Sequence, residues 1–215
     1  MALTPRPASI GAAYADGVDS EDEWAAPAAA WDDDPAVRAY ATAAYESLRS
    51  IVREHSIGLR GARVIDFGCG TGLLTERLVA AGAKVDAVDT SEAMLAVLRE
   101  KNTRHPLPGV TTATVLPEAT ADHDLVVCSS VCSFVPDYPG TVVDLVARLR
   151  PGGVFVQWDW ERSADDAHGL TRDEVRSALT AGGLSWIAVA TGFEIEVDGQ
   201  SMRPLVGRGR RPTDG

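Results

Sequence analysis

Val64-Ile65-Asp66-Phe67-Gly68-Cys69-Gly70-Thr71-Gly72 is an apolar run carrying one acid that breaks into glycine at every second position. Arg63 to Phe67 reads as a β-strand, and a helical pattern of Leu73, Leu74, Leu78 and Val79 begins directly after Gly72. Strand, glycine loop and helix in that order put residues 66–72 beyond the carboxyl end of a strand, where ligands of open α/β sheets bind. Glycine there lets the backbone approach a ligand closely and adopt positive φ. The helix opening near Gly72 turns free N–H groups and a partial positive charge toward the same place. The spacing is G-x-G-x-G, whereas a dinucleotide site has G-x-G-x-x-G, and Asp66 stands two residues before the first glycine. A carboxylate in that position repels a pyrophosphate and accepts a hydrogen bond from an ammonium group. The pattern therefore favours an amino-acid zwitterion.

Downstream, residues 84–89 make a second strand ending in Asp89, 23 residues after Asp66. A carboxylate there can take both hydroxyls of a ribose as charge-assisted hydrogen bonds; equally, an acid after a strand can simply cap a helix. Ser91 caps a helix carrying Met94, Leu95 and Leu98. A weaker strand covers residues 110–115, and residues 124–128 form an apolar run suited to a strand buried on both faces. A helix over residues 138–150 is turned by Pro151-Gly152-Gly153 into a strand over 154–158, and Thr171 with Glu174 makes a capping box for another helix. A closing hairpin runs from residues 193–197 through Asp198-Gly199 to a strand around 205–207. Upstream, Asp34 caps a helix over residues 35–55 with one apolar stripe of Val37, Tyr40, Ala41, Ala44, Tyr45, Leu48, Ile51 and Val52. Alternating strands and helices predict an α/β fold, a doubly wound and mostly parallel sheet with helices on both faces and an antiparallel edge.

The chain has 215 residues, 45% of them hydrophobic and 24% charged, which suits one globular domain. No segment has the length and apolarity of a membrane span, and residues 1–17 lack a secretory pattern. Cys69, Cys128 and Cys132 form no CxxC pair and read as reduced thiols in a cytoplasmic protein. A net charge of −11 argues against nucleic acid or an anionic membrane as partner. Eight acids and no base lie in residues 16–34, so the chain divides into an acidic arm, 1–34, and a single domain, 35–215. The arm reads as solvated chain or as a lid, the latter because Tyr14, Trp24 and Trp31 punctuate the acids. No coiled-coil heptad or dimer face is legible.

Residues 64–72 together with 85–95 resemble a class I S-adenosylmethionine-dependent methyltransferase, as do Asp124-Leu125-Val126-Val127-Cys128-Ser129-Ser130 and Arg150-Pro151-Gly152-Gly153. The likeness extends over about residues 40–210 and is most specific over 64–95. It implies a Rossmann-like seven-stranded sheet in the order 3-2-1-4-5-7-6 with strand 7 antiparallel. It also implies S-adenosyl-L-methionine as cofactor, S-adenosyl-L-homocysteine as product and a small-molecule methyl acceptor attacking through oxygen, nitrogen, sulfur or carbon. By this resemblance Asp66 and the loop of Gly68, Cys69, Gly70, Thr71 and Gly72 hold the methionyl end, with Ser129 and Ser130 bordering it. Asp89 binds the ribose, Thr90 and Met94 sit beside the adenosine, and Leu116, Pro117 and Glu118 stand where the family often carries an acid near the adenine amine.

The acceptor side departs from the family. Where many small-molecule members place histidines, this chain has Ser133 and Phe134, so no general base carries over. His123, just before a strand, reads as exposed, and Cys128 and Cys132 lack an adjacent base. No Asn-Pro-Pro-Tyr-type motif follows the fourth strand, which disfavours nucleic-acid and glutamine amide methylation. Gln157-Trp158-Asp159-Trp160 ends the fifth strand, where Trp158 and Trp160 would share one face and Asp159 the other. The two tryptophans read either as an acceptor wall or as an aromatic strand end packed on the last hairpin. Tyr14, Trp31 and Tyr40 are candidates to roof the site, and Asp159 and Tyr40 are candidates to take a proton. A non-catalytic module that binds the same cofactor and a protein methyltransferase are the competing functions.

Overall fold

The computed structural model describes residues 24–162, 169–197 and 199–213. Tyr14, one of the roof candidates, lies outside the described residues, as do five of the eight acids of the arm.

A four-residue helix, α1 (Ala25–Ala28), and a 3-10 turn (Trp31–Asp33) precede the long helix α2 (Pro35–Glu54). There follow β1 (Arg63–Phe67), α3 (Leu73–Ala80), β2 (Lys84–Val88), α4 (Glu92–Arg104), β3 (Val110–Ala113) and β4 (His123–Ser129). A 3-10 turn (Cys132–Phe134) leads into α5 (Tyr138–Arg148), β5 (Leu149–Asp159), α6 (Arg172–Ala181) and β6 (Ser185–Thr191). The last strands are β7 (Ile195–Val197), β8 (Gln200–Met202) and β9 (Leu205–Arg210). Local chemistry fixes the helix starts. Asp34 Oδ1 accepts Ala36 N–H at 2.7 Å, Ser91 Oγ accepts Met94 N–H at 3.3 Å, and Thr171 with Glu174 closes a reciprocal capping box.

Seven strands form one sheet in the order β3-β2-β1-β4-β5-β9-β6, with β9 antiparallel to both neighbours. This is the expected order, the last strand inserting between the fifth and sixth. The sixth strand is not residues 193–197: Ser185–Thr191 takes that place, and β7 pairs with β8 in a separate two-stranded ribbon. The reason lies at Trp186, which sits at φ 56°, is 81% exposed and falls where the pairing of β6 with β9 shifts register between Ser185 and Ala188. A bulge at an edge strand destroys the alternation by which a strand is read. A second difference is that α5 ends at Arg148 and β5 begins at Leu149. Pro151 disfavours helical geometry at Arg150, and Pro-Gly-Gly becomes a shift in the β4–β5 register.

Two apolar layers enclose the sheet. On one face Leu48 and Ile51 of α2, Leu78 of α3 and Leu95 and Leu98 of α4 pack on Val64, Val154 and Val156. On the other, Val142 and Leu145 of α5 and Leu179 of α6 pack on Ile65, Val126 and Phe155. His123, expected at the surface, is 1% exposed. It opens β4, one residue earlier than the apolar run suggests, and its Nε2 lies 2.8 Å from Asp86 Oδ2. It serves the amino-terminal edge of the sheet, away from the glycine loop. None of the described helices is long and apolar enough to cross a membrane.

Candidate active site

A cavity of about 470 Å³ opens at the carboxyl ends of β1, β2 and β4. Asp66, Gly68, Cys69, Gly70 and Thr71 form one wall, and Asp89, Thr90 and Met94 the next. Leu116 enters from the loop after β3, and Ser129 and Ser130 from the end of β4. Trp31, Tyr40 and Phe134 line it as well. Outside its lining lie Gly72, Pro117, Glu118, Ser133, Trp158, Asp159 and Trp160. Gly72 is the N-cap of α3, and Glu118 is exposed. Because β3 stops at Ala113, Thr114 and Leu116 turn toward the cavity in place of Glu118.

The parallel pairing of β1 with β2 and β4 sets Asp66 between Ala87 and Val127. Its Oδ2 accepts the Thr75 hydroxyl at 2.6 Å. Its Oδ1 is buried and has no hydrogen-bond partner among the described residues. Burial pushes the carboxyl up to about 7, against the Thr75 hydrogen bond and with some help from Asp89. Asp89 is occupied on both oxygens, Oδ2 accepting Gly70 N–H at 2.8 Å and Oδ1 accepting Ser91 N–H at 2.9 Å. Burial raises its pKa too, opposed by those two bonds. Ser91, not Asp89, caps α4; Asp89 fastens the glycine loop to β2 and keeps lone pairs for a ligand.

Gly68 and Gly70 both have positive φ but serve different ends. A Cβ at Gly70 would meet no heavy atom within 4 Å, so this backbone faces open space that a ligand can fill. A Cβ at Gly68 would stand 2.3 Å from Val131 Cγ2, so here glycine lets two loops touch. Gly68→Ala is expected to lower stability by about 1–3 kcal/mol, read as a reduced urea midpoint with unchanged slope, because stiff Val131 has to move.

Three hydrogen bonds tie the loop after β4 to the end of β5. Ser130 N–H donates to Trp158 O at 2.7 Å, Trp160 Nε1–H to Ser130 Oγ at 3.0 Å, and Ser133 N–H to Asp159 Oδ2 at 3.2 Å. Ser130 is held at φ 59°, a strained conformation for a serine, at the cavity wall. Trp158 and Trp160 do share a face, but it is the one covered by α2. Trp158 is fully buried and donates to Ser47 Oγ at 3.1 Å; Trp160 packs on Tyr40 with ring centres 5.5 Å apart. Phe193, beside the terminal ribbon, meets Tyr40 at 5.1 Å, so the tryptophans are a packed strand end behind the cavity. Asp159 points to the opposite face, fully buried, its Oδ1 accepting Trp160 N–H at 3.1 Å. Burial raises its carboxyl to about 6 against the hydrogen bonds from Ser133 and Trp160. Cys128 and Cys132 are buried, and the Cys132 thiol is pushed up by its contact with Cys128 and by burial.

The amino-terminal segment reaches over the cavity. Trp24 meets Trp31 and Phe134 edge to face, each at 5.8 Å. Trp24, Val131, Val135 and Pro136 complete this side of the lining. Only Trp24 carried a sequence signal, as an aromatic among acids; the other three lie in a loop without chemical signature.

Residues 65–157 match the family model described as a methyltransferase domain. A ubiquinone biosynthesis O-methyltransferase of Aromatoleum aromaticum is 35% identical over 104 residues, 46% of this chain and 44% of that relative. The matching stretch thus spans less than half the length of this curated relative. Among solved structures, magnesium protoporphyrin IX methyltransferase of Synechocystis PCC 6803 with bound SAH superposes with a TM-score of 0.64 at 18% identity, covering 94% of this chain and 92% of that one. A putative methyltransferase of Haloferax volcanii, solved with the activator Trm112, gives 0.66 at 17% identity over 92% of this chain and 98% of that one. At such identities these two share the fold with this chain.

Proposed function

We propose, from the premise that residues 65–157 form a methyltransferase domain of the class I fold, that this chain transfers a methyl group from S-adenosylmethionine to a nucleophile on a small molecule. The observation that carries this reading is the free Oδ1 of buried Asp66 at the wall of the cavity. A buried carboxylate oxygen without a donor is costly, and the α-ammonium of the cofactor is a donor of matching charge.

The residues at the cavity fit the remaining parts of that molecule. The loop of Gly68, Cys69, Gly70 and Thr71, followed by the opening of α3, suits the methionyl carboxylate; Ser129 and Ser130 border it. Asp89 suits the ribose hydroxyls, and Thr90, Met94 and Leu116 suit the adenosine. A volume of about 470 Å³ lies in the range of small-molecule sites. When bound, S-adenosylmethionine supplies a methyl group already activated on a sulfonium. The protein's part is to hold the acceptor in line with that methyl and to keep water out. Such positioning can supply about 7–11 kcal/mol of barrier reduction.

On the acceptor side the walls are Trp24, Trp31, Tyr40 and Phe134 with Val37 and Pro136, which favours a planar, largely apolar acceptor. Tyr40 is part of this wall, and an acceptor that arrives ionised needs no base. Residues 24–34 act in this reading as part of the cover of the acceptor site, the rest of the chain as one catalytic domain. Three free thiols suit a reducing cytoplasm, and the net charge of −11 suits a small molecule over nucleic acid.

Calorimetric titration with S-adenosylhomocysteine, with NAD in parallel, tests the reading. Micromolar binding of the first and none of the second is expected. Binding of NAD alone would overturn it.

A further inference from the structure

The arm keeps three of its acids among the described residues; Asp34 caps α2, and Asp32 is engaged through both carboxylate oxygens. Asp32 Oδ1 accepts the Thr71 hydroxyl of the glycine loop at 2.6 Å. Its Oδ2 pairs with Lys101 Nζ of α4, and the same ammonium lies 2.8 Å from Glu76 Oε1 of α3. Arg38 Nη1 donates to the main-chain oxygen of Asp32. One carboxylate thus joins the arm to the loop and to the helices that follow β1 and β2.

Asp32 directly follows Trp31, which lines the cavity and packs on Trp24, which packs on Phe134. Helix α1 is a single turn and buries only Ala28, too little to set the position of Trp31 unaided. Without Lys101, two acids, Asp32 and Glu76, would face each other beside the loop. The side chains of Lys101 and Asp32 are 21% and 28% exposed, so their attraction is screened less than that of a surface pair.

We propose that Asp32 and Lys101 are positioning residues that latch the aromatic cover of the acceptor site to the glycine loop, so that the two halves of the site assemble together. The inference rests on the S-adenosylmethionine reading. The Thr71 bond to Asp32 and the seat of Trp31 are both formed without a ligand, so loop and cover are held as one unit before anything binds.

The test uses the full chain carrying Trp186→Phe, which removes the exposed tryptophan far from the cavity. Asp32→Ala, Lys101→Met, Lys101→Arg and the Asp32→Ala/Lys101→Met pair are compared for acrylamide quenching without ligand and for S-adenosylhomocysteine binding. Asp32→Ala and Lys101→Met are each expected to raise tryptophan quenching and to weaken binding about tenfold. Lys101→Arg is expected to retain both properties. The double variant is expected to lose no more than the worse single one, because the two residues act through one contact. Unchanged quenching and affinity in both single variants, or losses that simply add, would overturn the latch. If the parent itself fails to bind S-adenosylhomocysteine, the cofactor reading falls, while the ligand-free quenching still decides whether Asp32 and Lys101 hold the cover.

Discussion

Asp66→Asn is expected to weaken S-adenosylhomocysteine binding by about 100-fold or more, and to flatten the fall in ligand-free stability between pH 5 and pH 8. Both effects come from one buried carboxyl whose pKa in the fold is about 7. An acid raised above its unfolded value binds its proton more tightly when folded. The stability it adds is fully present below the unfolded pKa, near 4, and is lost as pH rises through about 7. Asparagine keeps an acceptor for Thr75 but has no proton to lose. The remaining slope in the variant would come from Asp159, whose folded value is about 6, and from Asp89, also raised by burial.

Ligand binding runs the other way. An ammonium favours the ionised carboxylate, so the affinity of the unmodified chain should rise with pH up to about 7, by roughly tenfold per unit below it. Binding at pH 6 should then release a proton, visible as a calorimetric enthalpy that changes with the buffer's heat of ionisation. A variant that binds as tightly as the parent, or a parent affinity flat from pH 5.5 to pH 7.5, would remove Asp66 from the ammonium site. The same group would thus trade ligand-free stability for ligand affinity, as expected of a charge held in a site built for its counter-charge.

What the sequence made legible follows from how local the chemistry is. Asp66, the glycines and Asp89 could be placed because strand, loop and helix follow one another directly, and so do Asp34, Ser91 and Thr171 as caps. The resemblance over residues 64–95 supplied the sheet order. Beyond that range the signal weakens for stated reasons. β6 was hidden by the positive φ at Trp186, which let residues 193–197 look like the better strand. His123 looked exposed because nothing in its neighbourhood of sequence announces Asp86, 37 residues away. Trp158 reads equally as wall or core from its own neighbours, because its indole N–H donates to Ser47, 111 residues earlier. Asp32 sat in a run of acids that reads as solvated; only the folded chain brings Thr71 and Lys101 to it.

Asp159 separates two roles that its sequence position left joined. If its carboxylate holds the loop that carries Val131 and Phe134, Asp159→Asn should keep most of the turnover, because the amide oxygen still accepts one of the two N–H groups. Asp159→Ala should not. It leaves the N–H groups of Ser133 and Trp160 without this acceptor in a buried setting, at about 1–3 kcal/mol for each. The loop then loosens where it forms the acceptor wall, so the loss should fall on the acceptor KM more than on S-adenosylhomocysteine affinity. Urea unfolding at pH 8 should find the asparagine variant about 1–3 kcal/mol below the parent and the alanine variant about 2–6 kcal/mol below it. A proton acceptor predicts another pattern, in which asparagine and alanine lose turnover alike, about 100-fold or more, while asparagine leaves the acceptor KM in place. The burial of Asp159 favours the first outcome. A base has to reach its proton, and this carboxylate faces the layer of α5 and α6, with the loop it would support between it and the cavity.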